Sequence, residues 1–582
     1  MADGRTPLLR ELLGGDGRLI VVSNRGPITF DWDPDQPGRL MASRGSGGLV
    51  TALGELGRHA PVTWVAAAMT PADRTAAAAL GGITRARLAR ARHGEADSRG
   101  GGEGAALTWS PTGGRTSTSV AERGTAVLEA AEPAVTPAVV GELVQGLMPN
   151  QDLDLVYVLV DEEAYDRHYW IVANPFLWFI QHEMYAPAYG PNVDDELMDA
   201  WRRGYRPVNE QLADAAVEAA GDDPNPVILL QDYHLYLAAQ RIRDRRPDAT
   251  ILHFNHIPWP SAGQWQLIPQ SMRRAICEGL LACDIVGLQT DRYADNFLDS
   301  VASFVRDARV DRDGRNVLWR GRRIRVRAYP ISVDPDGLLA FSRSEAVEER
   351  VRRLSERVGR AGNPRLIVRA DRIEPSKNAL RGFLAFESLL ARRPELRETT
   401  RFVAVQAPTR TEIPEYAQYA AAVREVVARI NGMADPEDLP VWIYDGSDYA
   451  MAIAALRLAD VVVVNPLIDG MNLVAKEAVL VGQNPVLVLS ETAGAAEQLA
   501  SDSLTVAPGD IVGTAAAIER GLDMPPAERR HHLRRLRASV REEDLDWWLT
   551  RQLRDLSAIR RGVLPPSRRL RDSLRRVETE TV

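Results

Sequence analysis

Short runs of consecutive apolar residues recur along the chain, each followed by a stretch with helical spacing. Residues 18–23 (RLIVVS), 153–160, 226–230, 250–254 and 284–288 form one set; residues 365–370, 401–406, 441–444, 460–465 and 485–490 form a second. The runs are rich in Val, Ile and Leu and apolar at successive positions, the pattern of parallel strands covered on both faces. Between them, residues 379–392 and 415–430 carry helical periodicity. Strand and helix in alternation predict doubly wound α/β domains. The rhythm breaks at residues 329–336 (YPISVDPD), where two prolines interrupt it, so two domains are expected to join there. Ligands in such sheets bind beyond the carboxyl ends of the strands, which places a site in the cleft between two facing sheets.

Residues 82–150 depart from this pattern. The stretch 84–125 is rich in Arg, Gly, Ala, Ser and Thr with weak periodicity, and a mobile insertion is expected there. Residues 311–315 (DRDGR) read as a turn closing a hairpin before 322–327 rather than as a calcium loop, because no loop-closing Glu follows. Asp31, Asp33 and Asp35 alternate as metal ligands could, but they sit among Trp and Pro and read as loop.

Composition narrows the function classes. The net charge of −8 argues against general binding to nucleic-acid phosphates. No apolar stretch of 18 residues exists, so no membrane span is expected, and residues 1–16 lack a signal-peptide core. The two cysteines, Cys277 and Cys283, exclude a disulfide scaffold and a Cys-based zinc site and suit a reducing cytoplasm. Of 71 basic residues only Lys377 and Lys476 are lysines. Both lie inside dense motifs, where a compact point charge and a guanidinium are not interchangeable.

Six segments carry candidate chemistry. Residues 21–27 (VVSNRGP) and 44–49 (RGSGGL) put Gly47 and Gly48 ahead of a helix, where backbone N–H groups can approach an anion. Residues 468–477 (IDGMNLVAKE) follow a strand: Asp469 and Gly470 make the turn, and a helix starts near Asn472, its first N–H groups offered to a diphosphate. Glu477, about one and a half turns on, can accept hydrogen bonds from ribose hydroxyls. Residues 369–377 (RADRIEPSK) set Arg372 and Lys377 at a strand end, two cations suited to a leaving diphosphate. Residues 231–235 (QDYHL) and 253–261 (HFNHIPWPS) place Asp232 and His256 at strand ends, suited to sugar hydroxyls.

SNR, GGL, QDYHL, HIPWPS, DRIEPSK, QAPTR and DGMNLVAKE, in this order, resemble trehalose-6-phosphate synthases of glycosyltransferase family 20, over residues 18–556 apart from the 82–150 insertion. The resemblance implies a GT-B fold, two Rossmann-like domains facing a central cleft. It implies a first domain over 1–335, a second, nucleotide-sugar-binding domain over 336–540, a helix over 541–562 crossing back, and a frayed tail over 563–582. It implies retaining transfer of glucose from UDP- or GDP-glucose to glucose 6-phosphate, without metal or cofactor. The partners are then small molecules, with no nucleic acid or membrane; homo-oligomerisation stays open. By the same resemblance Arg372 and Lys377 grip the donor diphosphate with backbone at Gly47, Gly48, Asn472, Leu473 and Val474. Glu477 holds the ribose, Asp469 and His256 the transferred glucose, and Asp232 lines the sugar site. Arg25, Tyr169, Trp178 and Arg410 match positions that hold the acceptor phosphate. Acceptor-side motifs depart from the family: Ala67 stands where an acceptor-contacting Trp is expected, and 168–174 reads HYWIVAN. A glucosylglycerol-phosphate or validoxylamine-phosphate synthase-like enzyme, or a non-catalytic nucleotide-sugar binder, are the alternatives.

Overall fold

The computed structural model describes residues 5–14, 17–45, 50, 53–80, 86–87, 135–149, 151–186, 188, 190–432, 434 and 439–562. The first half of the chain builds a ten-stranded sheet. Its spatial order is Arg309–Asp311, Asn316–Trp319, Arg322–Ala328, Ile285–Leu288, Thr250–Phe254, Val227–Gln231, Leu19–Ser23, Val62–Ala67, Leu153–Val158 and Ala86–Arg87. Pairing is parallel from Arg322–Ala328 to Leu153–Val158 and antiparallel at both edges. The second half builds a parallel sheet in the order Val441–Asp445, Thr400–Ala407, Arg365–Arg372, Val461–Val464, Val486–Ser490 and Leu504–Val506. The central strands are buried along their whole length because helices cover both faces, which is why their sequences run apolar without alternation.

Strand order fixes where a ligand can sit. Leu19–Ser23 lies between Val62–Ala67 and Val227–Gln231, so the chain leaves it in opposite directions. Arg365–Arg372 plays the same part in the second sheet, between Thr400–Ala407 and Val461–Val464. A crevice opens at each such switch point. The loops that flank them carry Asn24 and Asp232 in one sheet, Lys377 and Asp469 in the other.

The linker at 329–334 joins the halves, and the last helix, Leu545–Arg560, ties them again. Its amide at Leu545 donates to Val333 O at 2.9 Å. The Trp548 indole donates to Tyr329 O at 3.1 Å and its ring meets Phe254 edge-on at 5.3 Å, so this helix packs on the first sheet. Tyr329 OH donates to Asp555 Oδ2 at 2.6 Å. The opening helix, Arg5–Leu13, lies on the same element: Leu9 and Leu12 are fully buried, and Arg561 pairs with Glu11 at 2.6 Å.

Two local features differ from expectation. The irregular stretch expected over 82–150 does not extend to its end, because Pro137–Leu147 is a helix. Thr136 accepts from Val139 N and Pro137 supplies the first turn, a strong start signal, and Val140 and Val144 are buried beneath it. The segments 88–134 and 563–582 lie outside the described residues. Asp31 belongs to a strand, Ile28–Trp32, paired with Leu40–Arg44, not to a loop. The buried Asp73 carboxylate pins that hairpin through Phe30 N at 2.8 Å while closing a capping box with Thr70. The 311–315 turn forms as expected, with Asp311 Oδ1 accepting from Gly314 N at 3.0 Å.

Candidate functional site

The second sheet supplies the charged wall of the cleft. After Arg365–Arg372 the chain turns through a short helix, Pro375–Lys377, and Asn378 takes a left-handed backbone (φ 58°). The Asn378 side chain fastens this turn to Asn465 O at 2.9 Å and Pro508 O at 2.7 Å. Lys377 is thereby aimed at the loop after Val461–Val464, where its Nζ lies 2.5 Å from Asp469 Oδ2. Asn472 donates to the same oxygen at 3.1 Å, and its Oδ1 caps the helix Leu473–Val481 by accepting from Ala475 N. Leu473 and Val474 open that helix, where N–H groups have no intrahelical acceptor. Burial alone would push the Asp469 carboxyl up; Lys377, with help from His182 and Asn472, outweighs it and holds the group below the usual aspartate range.

Arg372 pairs with Glu374 at 3.1 Å. Glu374 is fully buried, accepts from Ser376 Oγ at 3.0 Å, and lies 3.9 Å from Lys377 Nζ. Burial opposes its charge, but Arg372, Lys377, Arg410 and His182 together keep its carboxyl low. Further along, Glu477 accepts from Tyr449 OH at 2.9 Å, and burial raises its carboxyl.

The first sheet supplies the opposing wall. Asp232 follows Val227–Gln231 with φ 72°, and its Oδ1 accepts from His256 N at 3.2 Å. Burial pushes the Asp232 carboxyl up to about 7. His256 Nε2 meets Gln231 Oε1 at 3.0 Å, and burial lowers the imidazole to about 3, so it is neutral. The two walls touch here: a Cβ on Gly470 would collide with His256 O, which is why glycine follows Asp469. Tyr293 OH also donates to Asp469 O at 2.9 Å across the cleft.

Trp178 crosses between the walls. It is buried, stacked on His182 at 3.9 Å, and faces two guanidiniums of the second sheet: Arg410 at 4.5 Å and Arg372 at 6.0 Å from its centroid. Arg410 donates to Tyr416 OH at 2.8 Å. Tyr169 stacks on Tyr165 and His234, at 5.9 and 6.0 Å. Arg25 is exposed and bonds locally, to Thr29 Oγ1 at 3.3 Å. Ala67 ends its strand fully buried, its amide donating to Asn24 O at 3.2 Å. Gly47 and Gly48 lie outside the described residues.

Cations and a helix N-terminus on one wall thus face Asp232 and the neutral His256 on the other. The glycosyltransferase family 20 model matches residues 138–558. The chain belongs to glycosyltransferase family 20. It is similar to a validamine 7-phosphate valienyltransferase of Streptomyces hygroscopicus, 35% identical over 369 residues that cover 63% of this chain and 72% of that one. It is similar to an α,α-trehalose-phosphate synthase (UDP-forming) of Pichia angusta, 31% identical over 411 residues, 69% of this chain and 83% of that one. Among solved structures it matches an α,α-trehalose-phosphate synthase (UDP-forming) from Burkholderia xenovorans in complex with glucose 6-phosphate. That likeness has a TM-score of 0.68 and 27% identity and covers 93% of this chain and all of that one. The two facing sheets are therefore the GT-B fold, and the protein is a glycosyltransferase.

In this glycosyltransferase the structure brings Arg372, Lys377, Asp469, Asn472, Trp178 and Arg410 into one cluster, with Asp232 and His256 against its Asp469–Gly470 edge. Arg25 bonds locally to Thr29, while Tyr169, stacked on Tyr165 and His234, lies near enough to Arg410 to favour its charge. Sequence reasoning gave Glu374 no role; its signal was a carboxylate set between two cations five residues apart, Arg372 and Lys377. It also did not single out His182 or Tyr449. Lys476, which could pass for a second phosphate-binding lysine, is fully buried and donates to Ile331 O at 2.9 Å in the linker; burial lowers its ammonium to about 7.

Proposed function

We propose that this glycosyltransferase moves glucose from a nucleoside diphosphate glucose to glucose 6-phosphate with retention, giving α,α-trehalose 6-phosphate. The observation that carries the reading is the Lys377–Asp469 pair at the start of Leu473–Val481, with Arg372 and Arg410 sharing the face of Trp178 beside it. The diphosphate oxygens rest on Lys377, Arg372 and the helix N–H groups, and the acceptor phosphate on Arg410. As the glycosyl bond breaks, charge grows on the leaving phosphate, where these fixed cations stabilise it without a metal. Asp469 and neutral His256 hold sugar hydroxyls. The acceptor hydroxyl attacks from the face the diphosphate leaves, and its proton passes to the leaving phosphate oxygen. Two buried thiols, Cys277 and Cys283, fit a reducing cytoplasm. Among the described residues no helix is long and apolar enough to cross a membrane.

Two observations favour a second acceptor. Ala67, buried at its strand end, stands where the family's acceptor-contacting Trp is expected, and the chain is 35% identical to a validamine 7-phosphate valienyltransferase, which together favour a phosphorylated aminocyclitol joined to a cyclitol nucleotide. Mass spectrometry separates the readings. Purified protein is incubated with UDP- or GDP-glucose and either glucose 6-phosphate or glycerol 3-phosphate. A phosphorylated disaccharide with an α,α linkage is expected. Donor binding without that product would overturn the synthase reading and turn the search to cyclitol phosphates.

A further inference from the structure

The helix Tyr449–Leu458 begins directly beyond the strand Val441–Asp445 at the outer edge of the second sheet. Its start is well anchored: Asp448 caps Met451 N at 3.0 Å and pairs with Arg350 at 2.9 Å. Tyr449 is nevertheless 43% exposed. One face of its ring stacks on Phe341 (5.3 Å between centroids, 18° between planes), and its hydroxyl donates to Glu477 Oε1 at 2.9 Å. An aromatic ring held in place by a stack and a hydrogen bond, yet left open on a large part of its surface, is preorganised to stack on something flat.

Its place along the cleft says what. Glu477 lies five residues beyond Asn472, about 7.5 Å along a helix. That is the reach from a diphosphate at the helix start to a ribose, and Tyr449 meets Glu477 at that distance from it through its hydroxyl. We infer that Tyr449 is the nucleoside-recognition residue of this enzyme: its open ring face carries the base, and its hydroxyl shares the Glu477 carboxylate with the ribose hydroxyls. The inference rests on the proposed donor site at Lys377 and Leu473. Stacking on an aromatic ring is tolerant of base identity, so Tyr449 supplies affinity for the nucleoside rather than choice among bases.

The test is calorimetric titration of the full chain with UDP and with inorganic pyrophosphate, in the wild type, Tyr449→Ala and Tyr449→Phe. Tyr449→Ala should weaken UDP binding on the order of ten-fold and leave pyrophosphate binding unchanged. Tyr449→Phe, which keeps the ring, should hold UDP within about three-fold of the wild type, below the ~1.4 kcal/mol that marks a ten-fold change. Tyr449→Ala binding UDP as the wild type does would overturn the inference. So would UDP and pyrophosphate affinities falling together, the result of a merely structural helix start. If the wild type itself binds UDP no more tightly than pyrophosphate, the ribose assignment of Glu477 fails first and takes this inference with it.

Discussion

Lys377→Met keeps the length of the side chain and removes its charge. The Lys377 and Asp469 side chains are only 16% and 13% exposed and stand 2.5 Å apart, so the substitution strands a carboxylate in a cleft with little water. Removing one partner of a buried pair costs about 3–5 kcal/mol; the remaining exposure and the Asn472 hydrogen bond place this case near the lower end. With a total stability of roughly 5–15 kcal/mol the variant still folds. Its catalytic loss should be larger in effect, on the order of 10²–10³ in kcat/KM, because a fixed cation at the leaving group is gone. The pH dependence carries a signature. In the wild type the Asp469 carboxyl sits below its unfolded value, so the pair's stability is fully present above pH ~4 and lost as pH falls through the folded value. Without Lys377, burial dominates and the folded value rises above the unfolded one. The variant then gains stability as pH falls through that window, and the gap to wild type narrows from pH 7 toward pH 4. Urea unfolding at pH 7, 6 and 5 beside steady-state kinetics measures both. A gap that stays constant or widens on acidification, or a kcat/KM within three-fold of wild type, refutes the reasoning.

Other expectations follow from the same structure. Asp232, raised to about 7 by burial, binds more protons folded than unfolded between pH ~4 and 7. Wild-type stability relative to Asp232→Asn should therefore fall as pH rises through that range; denaturant melts that run parallel would sink the assignment. Lys476, lowered to about 7, has the opposite sign: relative to Lys476→Met, wild-type stability should rise between pH 7 and 10, by more than the ~1.4 kcal/mol of a single pKa unit. Trp548→Ala empties a fully buried site and frees the Tyr329 carbonyl, at a cost of about 3–5 kcal/mol; a loss under 1 kcal/mol would mean that the last helix does not strap the halves together.

What the sequence reveals follows from how each element is covered. Val461–Val464 and Val227–Gln231 are buried on both faces, so they stand out as unbroken apolar runs. Ile28–Trp32 escapes the same reading because only its first three residues are covered and its last two, Asp31 and Trp32, are exposed. Pro137–Leu147 hides behind a compositionally biased neighbour, although its Thr-Pro start was there to read. Residues on one loop, such as Arg372 and Lys377, are legible from spacing. Arg410 over Trp178, or Tyr449 on Glu477, join segments far apart in sequence, and only the strand order brings them together.

That strand order also explains how carboxylates can sit among cations meant for phosphate. Arg372, Lys377 and Arg410 face Glu374 and Asp469, while His182 and His256, lowered by burial to about 4 and about 3, add no charge at neutral pH. The cluster is thus only modestly positive before the donor arrives, which limits the cost of holding three cations together in a cleft. Nor do the carboxylates exhaust the donors. A lysine ammonium has three N–H bonds and a guanidinium five; Lys377 spends one on Asp469 and Arg372 one on Glu374, each leaving others for phosphate oxygens. In the proposed donor site Glu374 and Asp469 then act as fixed struts, holding the cations where a leaving diphosphate would rest, so that little reorganisation remains when its charge develops.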